Sequence, residues 1–154
     1  MKKPALSLVF AALAWGLIPT GSASAQTAIL AEMYGRGVHA YYCGLNDEAS
    51  QYLTMAIDNG IQDPRAYYFR GIAAYSAGRT LEAEADWQLG AELEASGRTN
   101  TAIGRSLARF QGIGRLKLEE IRQTAQLNAL AASLERSKQR YGELGAVDPN
   151  AVAP

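Results

Sequence analysis

The sequence has very few of the side chains that most catalytic and metal sites require. It contains one histidine and one cysteine, His39 and Cys43. A single cysteine cannot close a disulfide within the chain, so we expect packing to stabilise the fold. One imidazole and one thiol also fall short of a catalytic triad or a complete metal-ligand set. The composition therefore predicts a non-catalytic protein without a metal or cofactor.

His39 and Cys43 stand four residues apart, so they would share one face of a helix. A thiol and a base could use that geometry. However, Ala73 and Ala77 occupy the corresponding positions 34 residues later. We therefore interpret the pair as packing residues at a helix–helix contact.

Long apolar runs are absent after residue 25, and the only one before it is short. Lys2 and Lys3 precede an apolar run at 5–18, which is followed by Pro19 and the small residues 23–25. This order is typical of a secretory signal peptide, and the run is too short to span a hydrocarbon core of about 30 Å. We expect cleavage after Ala25, an extracytoplasmic location (periplasmic or secreted) and no stable membrane anchor afterwards.

The chain also lacks an excess of charge of either sign, which argues against a nucleic-acid ligand. The distribution is uneven, because residues 26–94 hold 10 acidic and 4 basic residues, whereas 95–118 hold no acid. Arg105 and Arg109 lie in that second stretch at a spacing that would let them grip a carboxylate or phosphate together. A solvated basic helix face is the other interpretation. The basic residues of 95–118 are Arg98, Arg105, Arg109, Arg115 and Lys117.

What the sequence does contain is an internal repeat of 34 residues. Glycines at 44 and 78, and again at 60 and 97, divide each copy into two helices joined by a turn. Asn46 (with Asp47) and Thr80 are predicted N-caps of the second helices, while Asp63 and Pro64 would begin the second copy. The matching pairs include Tyr34 and Tyr68, Gly37 and Gly71, Tyr41 and Tyr75, Gly44 and Gly78, and Ala49 and Ala83.

The two copies resemble tetratricopeptide repeats, whose 34-residue unit is a helix–turn–helix. Arg70 and Ala95 depart from that pattern, because they stand where leucine and proline are common. The string RSLARFQG at 105–112 also resembles exported bacterial proteins of this repeat class, a resemblance that implies no activity. The family's positions are matched by Tyr67, Gly71, Gly78, Ala83, Trp87 and Gly90, and in the first copy by Met33, Gly37, Gly44, Ala49, Leu53 and Ala56.

Because such solenoids need about three units, we expect a divergent third unit from residue 98. Its first helix would span 101–110 and its long second helix 115–141. The predicted fold is an all-α, TPR-like helical-hairpin solenoid with two clear repeats at 26–97, a divergent unit with a capping helix at 98–141 and a flexible tail at 142–154. An apolar stripe on the long helix either covers the second repeat or forms a dimerising or docking arm: Leu116, Ile121, Ala125, Leu127, Leu130 and Leu134.

In the repeat family the first helices line a concave surface that binds peptides. The resemblance therefore implies a protein or peptide partner, anchored by tyrosines and flanked by Arg105 and Arg109. Packing between repeats is an open alternative for Tyr41 and Tyr75. A second functional hypothesis is a structural or assembly subunit that self-associates through the long helix. The predicted partner-binding residues are Tyr34, Tyr41, Tyr42, Arg65, Tyr68, Tyr75, Arg105 and Arg109, with Val38 and Ile72 beside them.

Overall fold

The computed structural model describes residues 21–97 and 102–147 and, within them, the side chains of 25–97 and 102–142. The regular secondary structure of this part of the chain is helical, without a strand, which confirms the predicted all-α class. It contains six helices: α1 (Gly21–Tyr42), α2 (Asn46–Asp58), α3 (Pro64–Ser76), α4 (Thr80–Ala95), α5 (Ile103–Ser106) and α6 (Ile113–Val147).

Left-handed glycines close the helices where the sequence predicted them. Gly44 follows α1 with φ 80° and Gly78 follows α3 with φ 81°, a conformation that other residues adopt at a cost. The next amide in each turn reaches back across the helix end, from Leu45 to the Ala40 carbonyl at 3.0 Å and from Arg79 to the Ala74 carbonyl at 2.9 Å. These bonds satisfy carbonyls that the helix leaves unpaired.

The predicted N-caps are correct for one helix and wrong for two. The Asp63 side chain accepts a hydrogen bond from the Arg65 amide at 2.9 Å, with Pro64 in the first turn, as expected. Asn46 and Thr80 do not cap, because α2 and α4 begin at those residues. The preceding residues, Leu45 and Arg79, occupy the cap positions and make no side-chain cap bond.

Two helical hairpins, α1–α2 and α3–α4, pack through the same contact 34 residues apart. A Cβ on Gly37 would lie 2.6 Å from Leu53 Cγ, and one on Gly71 would lie 2.6 Å from Trp87 Cδ1. Only glycine therefore lets the helices of each hairpin approach so closely. The core lies between the hairpins, and its largest fully buried side chains include Trp87, Tyr68, Leu53 and Ile72.

The third unit is less regular than predicted. In place of a helix over 101–110, α5 spans Ile103–Ser106 and the chain then turns, so that Ile103 and Leu107 are buried. Phe110 packs 6.0 Å from both the Tyr75 and Trp87 ring centroids. Burial of these apolar groups in a short segment replaces the expected straight helix.

The long helix is confirmed, and its bounds are wider than expected. Helix α6 packs on α4 through Leu118 and Ala125, both nearly or fully buried. It continues to Val147, so the prediction of a flexible tail is wrong for 142–147.

Several predictions concern residues that lie outside the described ones. These are most of the leader at 1–25, the basic residue Arg98 and the tail at 148–154. In the ranges 21–97 and 102–147, no helix is long and apolar enough to cross a membrane.

Candidate functional site

Helices α1 and α3 place four of the eight predicted site residues on one connected surface. Phe69, itself 3% exposed, is its centre. The ring centroids of Tyr34, Tyr41 and Tyr42 lie 6.3, 5.9 and 6.1 Å from that of Phe69. The three tyrosines therefore form one aromatic cluster over a buried anchor, within the range in which aromatic pairs attract.

Two arginines complete this cluster, one at each end. The Arg65 guanidinium carbon lies 5.2 Å from the Tyr34 ring centroid, and that of Arg109 lies 5.1 Å from the Tyr42 centroid. Cation–π attraction operates at these distances. We call Tyr34, Tyr41, Tyr42, Arg65 and Arg109 the tyrosine–arginine surface.

The two arginines differ in electrostatic environment. Arg65 Nε donates to both carboxylate oxygens of Asp63, at 3.0 and 2.9 Å, so its charge is compensated. Arg109 is exposed and forms no ion pair with any side chain that the structure describes, that is, in 25–97 and 102–142. Arg109 therefore presents an uncompensated positive charge beside the half-exposed ring of Tyr42.

Burial raises the pKa of two tyrosines of the cluster. It raises the pKa of Tyr34 to about 12, although nearby Arg65 acts in the opposite direction. Burial also raises the pKa of Tyr41, whose hydroxyl lies within hydrogen-bonding reach of Ser76. At neutral pH both phenols remain protonated and can donate hydrogen bonds to a ligand.

An open cleft of about 420 Å³ adjoins the Tyr34 end of the surface. It lies between the middle of α1, including Leu30 and Ala31, and the loop before α3, with Tyr34 and Arg65 on its wall. Its mixture of apolar side chains and a fixed charge suits a side chain of an extended peptide. Sequence reasoning did not identify this cleft, because the loop that closes it is distant in sequence from α1.

Two of the predicted tyrosines belong to the core side of the molecule. Tyr68 is 0% exposed, and its hydroxyl donates to Glu94 Oε2 at 2.6 Å, so its assignment to the binding surface is corrected. Tyr75 is half-buried, with its ring centroid 5.6 Å from that of Trp87. Tyr75 therefore has the packing role that the sequence left open for it. The cause in both cases is the tight α3–α4 contact, which covers these positions of α3.

The predicted pairing of Arg105 and Arg109 on one helix face is also corrected. Helix α5 ends at Ser106, so Arg109 lies in the following turn rather than four residues along the same helix. Both side chains are exposed. Elsewhere in the basic stretch, Arg115 pairs with Glu119 at 2.7 Å and Lys117 with Glu120 at 3.2 Å.

His39 and Cys43 do not lie at a helix–helix contact, as the sequence interpretation held. Both are exposed, His39 in the last turn of α1 and Cys43 just after its end, with 3.6 Å between Cys43 Sγ and His39 Nε2. The face of α1 that contacts α2 carries Gly37 and Ala40 instead. The described residues bring together no group of three or more His, Cys, Asp or Glu side chains suited to a metal.

Comparison with known protein families, curated proteins and solved structures finds no match to this chain. The candidate site therefore rests on the geometry of the tyrosine–arginine surface.

Proposed function

We propose that this chain is a non-catalytic interaction module that holds an extended segment of a partner protein against the tyrosine–arginine surface. The observation that supports this proposal best is the uncompensated guanidinium of Arg109 over the Tyr42 ring. A carboxylate is its natural complement, because arginine binds carboxylates through two parallel hydrogen bonds. The partner segment is therefore acidic or presents a terminal carboxylate.

The aromatic residues support the same proposal. Tyrosines supply contact area with little side-chain entropy to lose, and Tyr42 remains 43% exposed in the absence of a ligand. The two 34-residue hairpins resemble tetratricopeptide repeats, a family of peptide-binding solenoids. The leader-like residues 1–25 favour an extracytoplasmic setting for this binding.

A selection from a random peptide library tests this proposal. We expect the full chain to enrich peptides with a carboxylate near an aromatic or apolar residue. For those peptides, Arg109→Gln should weaken binding about 10-fold or more, because it removes a charge-assisted hydrogen bond. Isothermal titration calorimetry measures the change, and raising the salt concentration should weaken wild-type binding.

The chain offers a matched control for this substitution. Arg36 lies 5.9 Å from the Tyr52 ring centroid but is paired with Glu32 at 2.7 Å. Arg36→Gln should therefore leave peptide affinity unchanged. Equal losses from both substitutions, or no enrichment of acidic peptides, would contradict the proposal.

A second candidate function, self-association through α6, is favoured by a different observation: the leucines of that helix that remain exposed.

A further inference from the structure

Helix α6 carries an exposed apolar stripe on the face opposite its contact with α4. Leu118 and Ala125 are buried against the body of the protein, whereas five large side chains on the other face are open to solvent. Their exposures are 72% for Leu116, 66% for Leu127, 57% for Leu130, 54% for Leu134 and 76% for Tyr141. Such a patch on one helix face is typical of an interaction surface.

The spacing of this stripe is that of a helix-pairing seam. From Leu127 the residues follow intervals of three, four and seven to Leu130, Leu134 and Tyr141, which is a heptad register. Extending the register towards the N-terminus reaches Leu116, with Glu120 and Gln123 between. The seam therefore spans about 40 Å of helix.

The seam is also nearly symmetric about its own midpoint, between Asn128 and Ala129. Leu127 and Leu130 are equidistant from this point, and so are Leu116 and Tyr141. If a second α6 were laid antiparallel about a twofold axis there, each of these four apolar residues would meet an apolar partner, while Leu134 would meet Gln123. A self-complementary patch of this kind is what a twofold interface requires.

Charge selects the same orientation. In a parallel pair Glu120, which is 68% exposed and pairs with Lys117 of its own helix at 3.2 Å, would face Glu120 of the second copy within the seam, which brings two like charges together. In the antiparallel pair it would lie opposite Ser137, beside Lys138 of the second copy, which is 73% exposed and pairs with its own Glu135 at 2.7 Å. The antiparallel arrangement therefore keeps the two Glu120 carboxylates apart.

The structure also leaves room for this arrangement. Each body packs on the inner face of its own α6, so the two bodies would lie on opposite sides of the helix pair. Helix α6 continues to Val147, well past its buried contacts at Leu118 and Ala125. An isolated helical arm of this length is marginally stable in water, and a second helix would stabilise it.

We propose that two copies of this chain associate through α6 in an antiparallel, twofold-symmetric helix pair centred between Asn128 and Ala129. The interface is independent of the tyrosine–arginine surface, which lies on α1, α3 and the turn that follows α5. A dimer would therefore present two binding surfaces, which raises the avidity for a partner with two matching segments.

Analytical ultracentrifugation of the full chain over a concentration series tests the association. We expect a reversible monomer–dimer equilibrium, shifted at least 100-fold towards monomer by Leu127→Glu with Leu130→Glu. The matched control is Leu81→Glu with Leu89→Glu, because these leucines are 83% and 49% exposed on α4. The control should dimerise like wild type, and circular dichroism should show that both variants remain folded.

Spin labels test the orientation. With Cys43→Ser and a nitroxide at Tyr141→Cys, the antiparallel pair gives a label-to-label distance of about 40 Å, whereas a parallel pair gives less than about 20 Å. Glu120→Lys should weaken the dimer, and adding Lys138→Glu should restore it. A chain that is monomeric at every concentration, a dimer indifferent to the Leu127 and Leu130 substitutions, or a short distance would each overturn the proposal.

Discussion

At the scale of single residues, glycine at 37, 71 and 90 determines how closely the helices pack. A Cβ at Gly71 would lie 2.6 Å from Trp87 Cδ1 and 2.8 Å from the Ala83 carbonyl oxygen, and one at Gly90 would lie 2.9 Å from Tyr68. Neither the backbone nor the enclosed rings can yield without opening the hairpin. These positions therefore require glycine because it has no side chain, and not because of its backbone freedom.

We expect Gly71→Ala to destabilise the protein by about 1–3 kcal/mol, because the added methyl group overpacks the α3–α4 contact. Urea unfolding followed by circular dichroism measures this loss. Gly35→Ala is the matched control, since a Cβ there meets nothing within 4 Å in the same structure. Alanine is the better helix former, so the control should gain about 0.5–1 kcal/mol. A loss of the same size in both variants would contradict the steric explanation.

At the scale of helices, a buried ionic cluster fastens α6 to the two hairpins. Glu94 of α4 accepts hydrogen bonds from the Tyr68 hydroxyl of α3 at 2.6 Å and from Arg122 Nε of α6 at 2.9 Å. Arg122 also donates to Glu119 at 2.7 Å. The side chains of Glu94 and Arg122 are 17% and 13% exposed, so this pair is little screened by solvent.

This cluster gives the stability a defined pH dependence. Burial alone would raise the pKa of Glu94, but the hydrogen bonds from Arg122 and Tyr68 outweigh it and hold the pKa below its ordinary value of 4.5. The carboxylate therefore stabilises the fold fully above pH 4.5, and this contribution is lost as the pH falls through the lowered value.

Thermal unfolding between pH 7 and pH 3 measures this effect. We expect Glu94→Gln to lower the stability at pH 7 by roughly 1.5–3 kcal/mol, because it removes the charge-assisted hydrogen bonds between Glu94 and Arg122 and leaves Arg122 with Glu119 alone. The same substitution should make the stability fall less steeply as the pH drops below 4.5. If the variant lost stability below pH 4.5 as steeply as wild type, other carboxylates would be responsible for the acid dependence. Glu82→Gln is a suitable control, since the Glu82 side chain is 66% exposed.

At the scale of the whole molecule, the structure consists of a packed body and a projecting helix. The body comprises the two hairpins, the 102–112 segment and the first part of α6, which supplies Leu118 and Ala125 to the core. Beyond residue 129 the side chains of α6 that the structure describes are exposed or half-exposed. The body and the arm should therefore respond separately to truncation.

We expect truncation after Ala129 to leave the melting temperature of the body nearly unchanged while abolishing the dimer. Truncation after Gly114 should instead unfold the body or lower its melting temperature strongly, because it removes the buried Leu118 and Ala125. Differential scanning calorimetry with ultracentrifugation distinguishes the two cases. If truncation after Ala129 also unfolded the body, the arm would belong to the core.

Several features of the fold were predictable because they depend on local sequence. The helix ends follow from glycines such as Gly44 and Gly78, which alone adopt left-handed geometry without strain. The small-against-large pairs, Gly37 with Leu53 and Gly71 with Trp87, follow from the 34-residue period. Part of the tyrosine–arginine surface was also predictable, since Tyr34, Tyr41 and Tyr42 lie along one helix.

Other features could not be read from local patterns. Arg70 looked like a departure from the repeat pattern, yet its Nε donates to the buried carboxylate of Asp86 at 2.8 Å, sixteen residues away. The sequence also could not place Phe69 beneath the tyrosines, or Arg109 over Tyr42, because these contacts join distant segments.

The sequence by itself determined the helical class, the repeated hairpins and the long C-terminal helix, because periodicity and helix-ending residues act within a few turns of chain. Only the tertiary structure decided which tyrosines are buried, whether the arginine beside Tyr42 has an acidic partner and which face of α6 stays open. Those outcomes depend on how three helical layers share a small core. Each layer covers one face of its neighbour, and the sequence of a single segment does not determine which face is covered.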